Sequence, residues 1–135
     1  MAEGIPEKAL RSPAQSGFEH PREQSECGFP LIIDHVIESP AWLKECVETL
    51  SGCRVYFIGV KCPLEELERR ERSRGDRQIG FARWQYERVR RYGPYDFEID
   101  TFGSTADECA MQLKNLLLSG KEPEAFRRLA GDFAT

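Results

Sequence analysis

No stretch of this 135-residue chain is apolar for long enough to cross a bilayer, and no CxxC pair occurs in it. The first absence excludes a membrane-spanning helix. Met1 is also not followed by the charged-then-apolar pattern of a secretory signal, so the expectation is a cytoplasmic chain with reduced thiols. Five cysteines, Cys27, Cys46, Cys53, Cys62 and Cys109, are an odd number without zinc-ligand spacing, which speaks against both a disulfide framework and a zinc site. Cys46 and Cys109 fall on apolar helix faces and read as buried thiols. His20 and His35 are the only two histidines and cannot build a metal site by themselves.

What the chain does have is an uneven charge. Its net charge of −4 speaks against a generic nucleic-acid binder, yet Arg69 to Arg91 holds nine arginines against Glu71, Asp76 and Glu87. That segment is locally +6, which leaves −10 for the remainder.

The length suits one domain. Residues 1–28, rich in Pro, Ser, Gly, Glu and Gln, read as a poorly structured leader, 29–120 as the folded part and 121–135 as a tail with room for a further turn or two. "LIIDHVI", Leu31 to Ile37, has the continuous apolar pattern of a strand buried on both faces. Ser39 then suits an N-cap and Pro40 a first helical position, ahead of Leu43, Cys46, Val47 and Leu50 on one face. "RVYFIGV", Arg54 to Val60, reads as a second buried strand, and Cys62-Pro63 starts a helix carrying Leu64 and Leu67. A further helix follows Gly80 with Phe81, Ala82, Tyr86 and Val89 facing inward, and Gly93-Pro94 stops it. "YDFEIDT", Tyr95 to Thr101, alternates as a half-buried strand. Thr105 and Glu108 form a T-x-x-E capping box for a helix whose apolar face is Ala106, Cys109, Ala110, Leu113, Leu116 and Leu117. Strands alternating with helices predict an α/β layer with a parallel sheet.

The apolar stripe of the helix after Pro63 continues from Leu64 and Leu67 into Arg70 and Arg74. A guanidinium turned toward a core needs an anionic partner, because burying it alone costs several kcal/mol. Phosphate suits its planar fork, and Gly75 lets the chain break so that Arg77 folds over the same ligand. The plainer reading is a solvated helix in which Glu65, Glu66, Glu68 and Glu71 pair with arginines one turn away.

The run "VYFIGVKCPLEELERRERSRGDRQIGFARWQYERV", with "YDFEIDT" and "ECA" after it, resembles the C-terminal half of the chloramphenicol phosphotransferase-like family, P-loop kinases of the small-molecule kinase fold. The resemblance covers about Leu31 to Leu118. It implies a three-layer parallel-sheet α/β fold and ATP-dependent O-phosphorylation of a small hydroxyl compound, with ATP and Mg²⁺ as cofactors. By the same resemblance Arg70, Arg74 and Arg77 belong to a lid over the ATP phosphates, and Asp34 is the strand-end acid that holds Mg²⁺ through water. Where the family often carries a V-H pair, this chain has Val89-Arg90.

No G-x-x-x-x-G-K-[ST] occurs in the chain, so the backbone nest, lysine and hydroxyl that such a loop supplies are absent from these residues. The resemblance therefore implies a truncated fold of three recognisable strands, without the family's catalytic base and inactive in phosphoryl transfer. A strand lacking between Leu31–Ile37 and Arg54–Val60 leaves two outcomes: the two pair directly, or their open edges lead to self-association. The rival reading is a non-catalytic polyanion or RNA-binding module using Arg69 to Arg91 with Trp84, Tyr86 and Tyr92 interleaved.

Overall fold

The computed structural model describes residues 31–89 and 91–134. The expected leader, residues 1–28, lies outside them. Along the chain run α1 (Pro40–Thr49), β1 (Ile58–Lys61), α2 (Leu64–Arg74), α3 (Phe81–Val89), β2 (Phe97–Asp100), α4 (Ala106–Leu118) and α5 (Ala125–Ala134). The chain is a mixed α/β structure with a small parallel sheet, as the alternation of elements implied. No helix among the described residues is long and apolar enough to cross a membrane.

The sheet is the pair β1–β2, with Ile58 opposite Phe97 and Lys61 opposite Asp100. Helices α2 and α3 form the crossover between the two strands, so both strands end at the same edge. Around β2 the alternation holds: Ile99 is buried and Phe97 half-buried, while Glu98 and Asp100 are exposed.

Leu31 to Ile37, expected as a buried strand, is not one. A strand exists only through a neighbour that takes its backbone groups. β2 occupies one edge of β1, and Leu31 to Glu38 pairs with neither strand. Ile32 is accordingly fully exposed, and Leu31, Ile33 and Val36 are largely so. Direct pairing of that segment with the second strand is thus not found. The segment is tied down at its end instead: Ile37 enters the core, His35 stacks on Trp42 and Glu38 accepts a hydrogen bond from Gln85 at 3.0 Å.

Helix α1 follows its sequence signals closely. The Ser39 hydroxyl accepts from the Trp42 N–H at 3.3 Å, Pro40 opens the helix, and Leu43, Cys46, Val47 and Leu50 are buried. Burial pushes the Cys46 thiol up to about 11, which makes it the inert core thiol expected. The segment expected as a tail contributes more than a turn or two. Residues 125–134 form α5, which packs on α1 and adds Leu129 to the cluster of Ile37, Leu43, Cys46 and Val47.

Asp96 makes that docking possible. Its Oδ1 accepts the N–H groups of Glu124 and Ala125, two donors at the start of α5, while Oδ2 accepts the Phe57 N–H. Phe57 completes the joint by packing between Tyr95 and Phe126, with ring centroids 4.7 and 5.2 Å away. The face of α4 is narrower than its periodicity suggested. Cys109 and Leu116 are buried and Leu113 half-buried, but Ala106, Ala110 and Leu117 are exposed, because a sheet of two strands offers little width to cover.

Gly59 lies under the Tyr95 ring so closely that a Cβ at that position would sit 2.7 Å from it. Gly59→Ala should therefore push the ring off its half-buried seat beside Phe57 and destabilise the chain by about 1–3 kcal/mol, the usual range for overpacking. A thermal melt unchanged from wild type would show that the ring is not fixed there.

Candidate functional site

Helix α2 leaves the sheet just beyond the carboxyl end of β1, and its side chains return to the carboxyl end of β2. Leu64 and Leu67 are half-buried, as their stripe predicted. Arg70 continues that stripe and reaches Thr101, donating to its carbonyl at 2.9 Å through Nη2 and to its hydroxyl at 3.3 Å through Nη1. Its Nε donates to Glu66 Oε1 at 2.8 Å, while Arg69 grips the same carboxylate with a two-pronged fork at 2.7 Å. These bonds, Arg69's first and then Arg70's, bring the Glu66 carboxyl down to about 2. Arg70 thus has its partners within the chain, a carboxylate and a strand-end carbonyl.

Next to Arg70, the only buried residue of α2 is an acid. Glu71 is 5% exposed, and its carboxylate accepts the Gly80 N–H at 3.0 Å and the Ala82 N–H at 2.7 Å. The carbonyl of the same residue accepts the Gly75 N–H at 3.5 Å, closing the helix. Gly75 and Gly80 have φ of 67° and 98°, the left-handed region that glycine enters without strain. Residues 75 to 80 therefore form a loop whose two ends meet at Glu71. All six are exposed. The start of α3 offers N–H groups that an external anion might take, but Glu71 already fills that role.

The last residue of α2 and the loop carry the remaining candidate cations. Arg74 precedes Gly75 and pairs with Asp76 at 3.3 Å, both side chains more than half exposed. Arg77 is exposed and makes no ion pair among the described residues. Arg70, Arg74 and Arg77 are thus on one continuous element but in different states: Arg70 is fixed to the sheet, Arg74 loosely paired and Arg77 open.

Asp34 belongs to a different segment of the chain. It is exposed, in the segment that forms no strand, and no group of three or more His, Cys, Asp or Glu able to hold a metal exists among the described residues. A single carboxylate holds Mg²⁺ only together with substrate phosphates and water.

The aromatic residues of the basic segment are already engaged. Arg88 lies over the Trp84 ring with its guanidinium carbon 3.8 Å from the centroid, Phe81 stacks at 5.8 Å, and Tyr92 packs against the core cluster. Arg83 pairs with Glu68 at 2.8 Å. Base stacking on Trp84 would first require displacing Arg88.

In the solvated-helix reading of the sequence Glu71 pairs with arginines one turn away, and no sequence signal marks Thr101 as the Arg70 partner. A glutamate on the apolar stripe, nine residues before a glycine that opens a new helix, is the pattern that could have pointed to the clamp.

A family model of chloramphenicol phosphotransferase-like proteins matches residues 2–118, beginning well before Leu31. Two curated relatives, both named "Putative O-phosphotransferase" and both from Mycobacterium tuberculosis, strains ATCC 25618 / H37Rv and CDC 1551 / Oshkosh, are 37% identical over 106 residues. The alignment covers 78% of this chain and 47% of each relative, so the chain spans about half the length of the curated relatives it matches. No solved structure matches it.

The different states of the arginines lead to two expectations. Arg70→Ala should lower stability in urea by about 1–2 kcal/mol, since it removes charge-assisted bonds from a part-buried carboxylate and a strand-end carbonyl, whereas Arg74→Ala should change it by no more than about 0.5 kcal/mol. Equal midpoints for the two variants would contradict this. The Glu66 carboxyl, depressed to about 2 from 4.5, contributes stability that is fully present above pH 4.5 and is lost progressively as pH falls from there through about 2. An NMR titration should find it ionised at pH 4, and a midpoint near 4.5 would show that the arginines do not hold it.

Proposed function

The chain belongs to the chloramphenicol phosphotransferase-like family, and on that premise we propose that it serves ATP-dependent O-phosphorylation of a small hydroxyl compound, contributing an arginine-bearing lid segment that holds phosphate through Arg74 and Arg77. The observation that supports this reading is the placement of α2 and its loop. In open parallel sheets ligands bind beyond the carboxyl ends of the strands, and Arg70 fixes α2 to that edge through Thr101. The exposed loop with Arg77 continues from the same helix.

The reading takes β1 and β2 as two strands of the three-layer sheet of a P-loop kinase. Arg70 then sets the base of the lid, and Arg74 and Arg77 make the contacts with phosphate. Phosphoryl transfer depends on positioning and charge stabilisation. The 135 residues contain no G-x-x-x-x-G-K-[ST], so they do not turn over ATP unaided.

The chain alone should show no ATP-dependent phosphorylation of chloramphenicol or a comparable alcohol above a no-enzyme control. It should bind inorganic pyrophosphate, and Arg74→Ala should weaken that binding by about 1.5–3 kcal/mol, the range for a charge-assisted contact. The exposed Arg127, replaced by Ala as a control, should leave it unchanged. If the two variants behave alike, the lid assignment fails. Retained turnover after stringent purification would refute the expected inactivity. A steep loss of affinity with salt for a single-stranded RNA, in the absence of pyrophosphate binding, would favour the polyanion reading.

A further inference from the structure

Glu71 is buried more completely than any leucine of its helix, yet among the described residues it contacts no cation through its carboxylate in the way its neighbours Glu66 and Glu68 do. Both oxygens are directed at backbone N–H groups on the far side of a six-residue loop. The loop leaves α2 with the Gly75 N–H on the Glu71 carbonyl, and it returns with the Gly80 N–H on the Glu71 carboxylate. Its two ends are thus fixed to one residue, and its middle, Asp76 to Ile79, is exposed.

A six-residue loop with glycines at positive φ at both ends has wide conformational freedom unless something sets its exit. The second bond of the clamp, to Ala82, also sets the direction in which α3 leaves. We propose that Glu71 is a positioning residue for anion binding: by holding Gly80 and Ala82 it fixes the span over which the loop presents Arg77, and so pays in advance the ordering cost that phosphate would otherwise meet. The inference rests on the phosphate-lid reading above. Glu71 itself does not touch the phosphate, since its carboxylate is negative and fully engaged.

Two measurements test it, with inorganic pyrophosphate as the probe. Glu71→Gln keeps the side-chain shape but sets an amide N–H₂ against one of the two backbone donors. It should weaken pyrophosphate binding about fivefold or more, within the coupling range of residues that act together. In an Arg77→Ala background the same change should have almost no further effect, because the residue it positions is gone. An equal loss in both backgrounds, or no loss in either, overturns the proposal.

The second measurement needs no variant. If the clamp favours binding, binding must favour the clamp by the same factor, so the Gly80 and Ala82 amides of the wild-type chain should exchange more slowly with solvent when pyrophosphate is saturating. Unchanged exchange at both amides overturns the proposal as well. Should the wild-type chain fail to bind pyrophosphate, the lid reading itself falls and this inference with it. Intact binding that ignores Glu71 removes the inference alone.

Discussion

The carboxylate of Glu71 is the constraint on which the candidate site depends. The first N–H groups of a helix have no acceptor within it, and at the start of α3 a side chain from another helix supplies one. A carboxylate suits this position twice over: its bonds to N–H groups are charge-assisted, and its charge faces the positive end of the α3 dipole. Leucine at the same place would fill the space but leave Gly80 and Ala82 without partners, each at a cost of about 1–3 kcal/mol where it is shielded from water. The packing of α2 against α3 is therefore fixed by a polar bond at one end rather than by interlocked apolar side chains, which are only half-buried on both helices.

The same device recurs through the chain. Asp96 ties the approach to β1 to the start of α5 with three backbone N–H groups, and Arg70 ties α2 to the end of β2. In each case a charged side chain spans two elements and fixes one against the other through backbone groups. No side chain among the described residues is less than 2% exposed. With so small a core, register and orientation are carried by directional bonds, which specify geometry even where their net energy is modest.

Local signals were legible in the sequence where the structure that answers them is local. Ser39-Pro40 and the box of Thr105 with Glu108 formed as read, because a cap needs only residues three positions apart. Gly75 ended α2 for the same reason. Leu31 to Ile37 failed because a strand is decided by its neighbour, and an apolar run states that a partner is wanted without supplying it. The N–H partners of the Glu71 carboxylate lie 9 and 11 residues away, Thr101 lies 31 from Arg70, and the partners of Asp96 lie 28 to 39 away. Helix α5 was underestimated although Phe126, Leu129 and Phe133 recur at helical spacing, because the cluster they pack against is supplied by α1, far away in sequence.

The arginine cluster illustrates how a charge run resolves once partners are assigned. Arg69 and Arg70 are held by Glu66, Arg83 by Glu68 and Arg88 by the Trp84 ring, so much of the local positive charge is already answered within the chain, as the solvated-helix reading held. What that reading leaves over includes the exposed Arg72 and Arg91 and, at the clamped loop, Arg74 and Arg77. The Arg74–Asp76 pair is exposed on both sides, and such a pair contributes at most about 1 kcal/mol, less than the charge-assisted bonds a phosphate would offer the same guanidinium. Arg77 has no ion pair among the described residues to give up. A phosphate arriving at the loop would therefore exchange one weak exposed pair for contacts to two arginines, while the bonds of Arg70 and Glu71 that fix the loop's base remain intact.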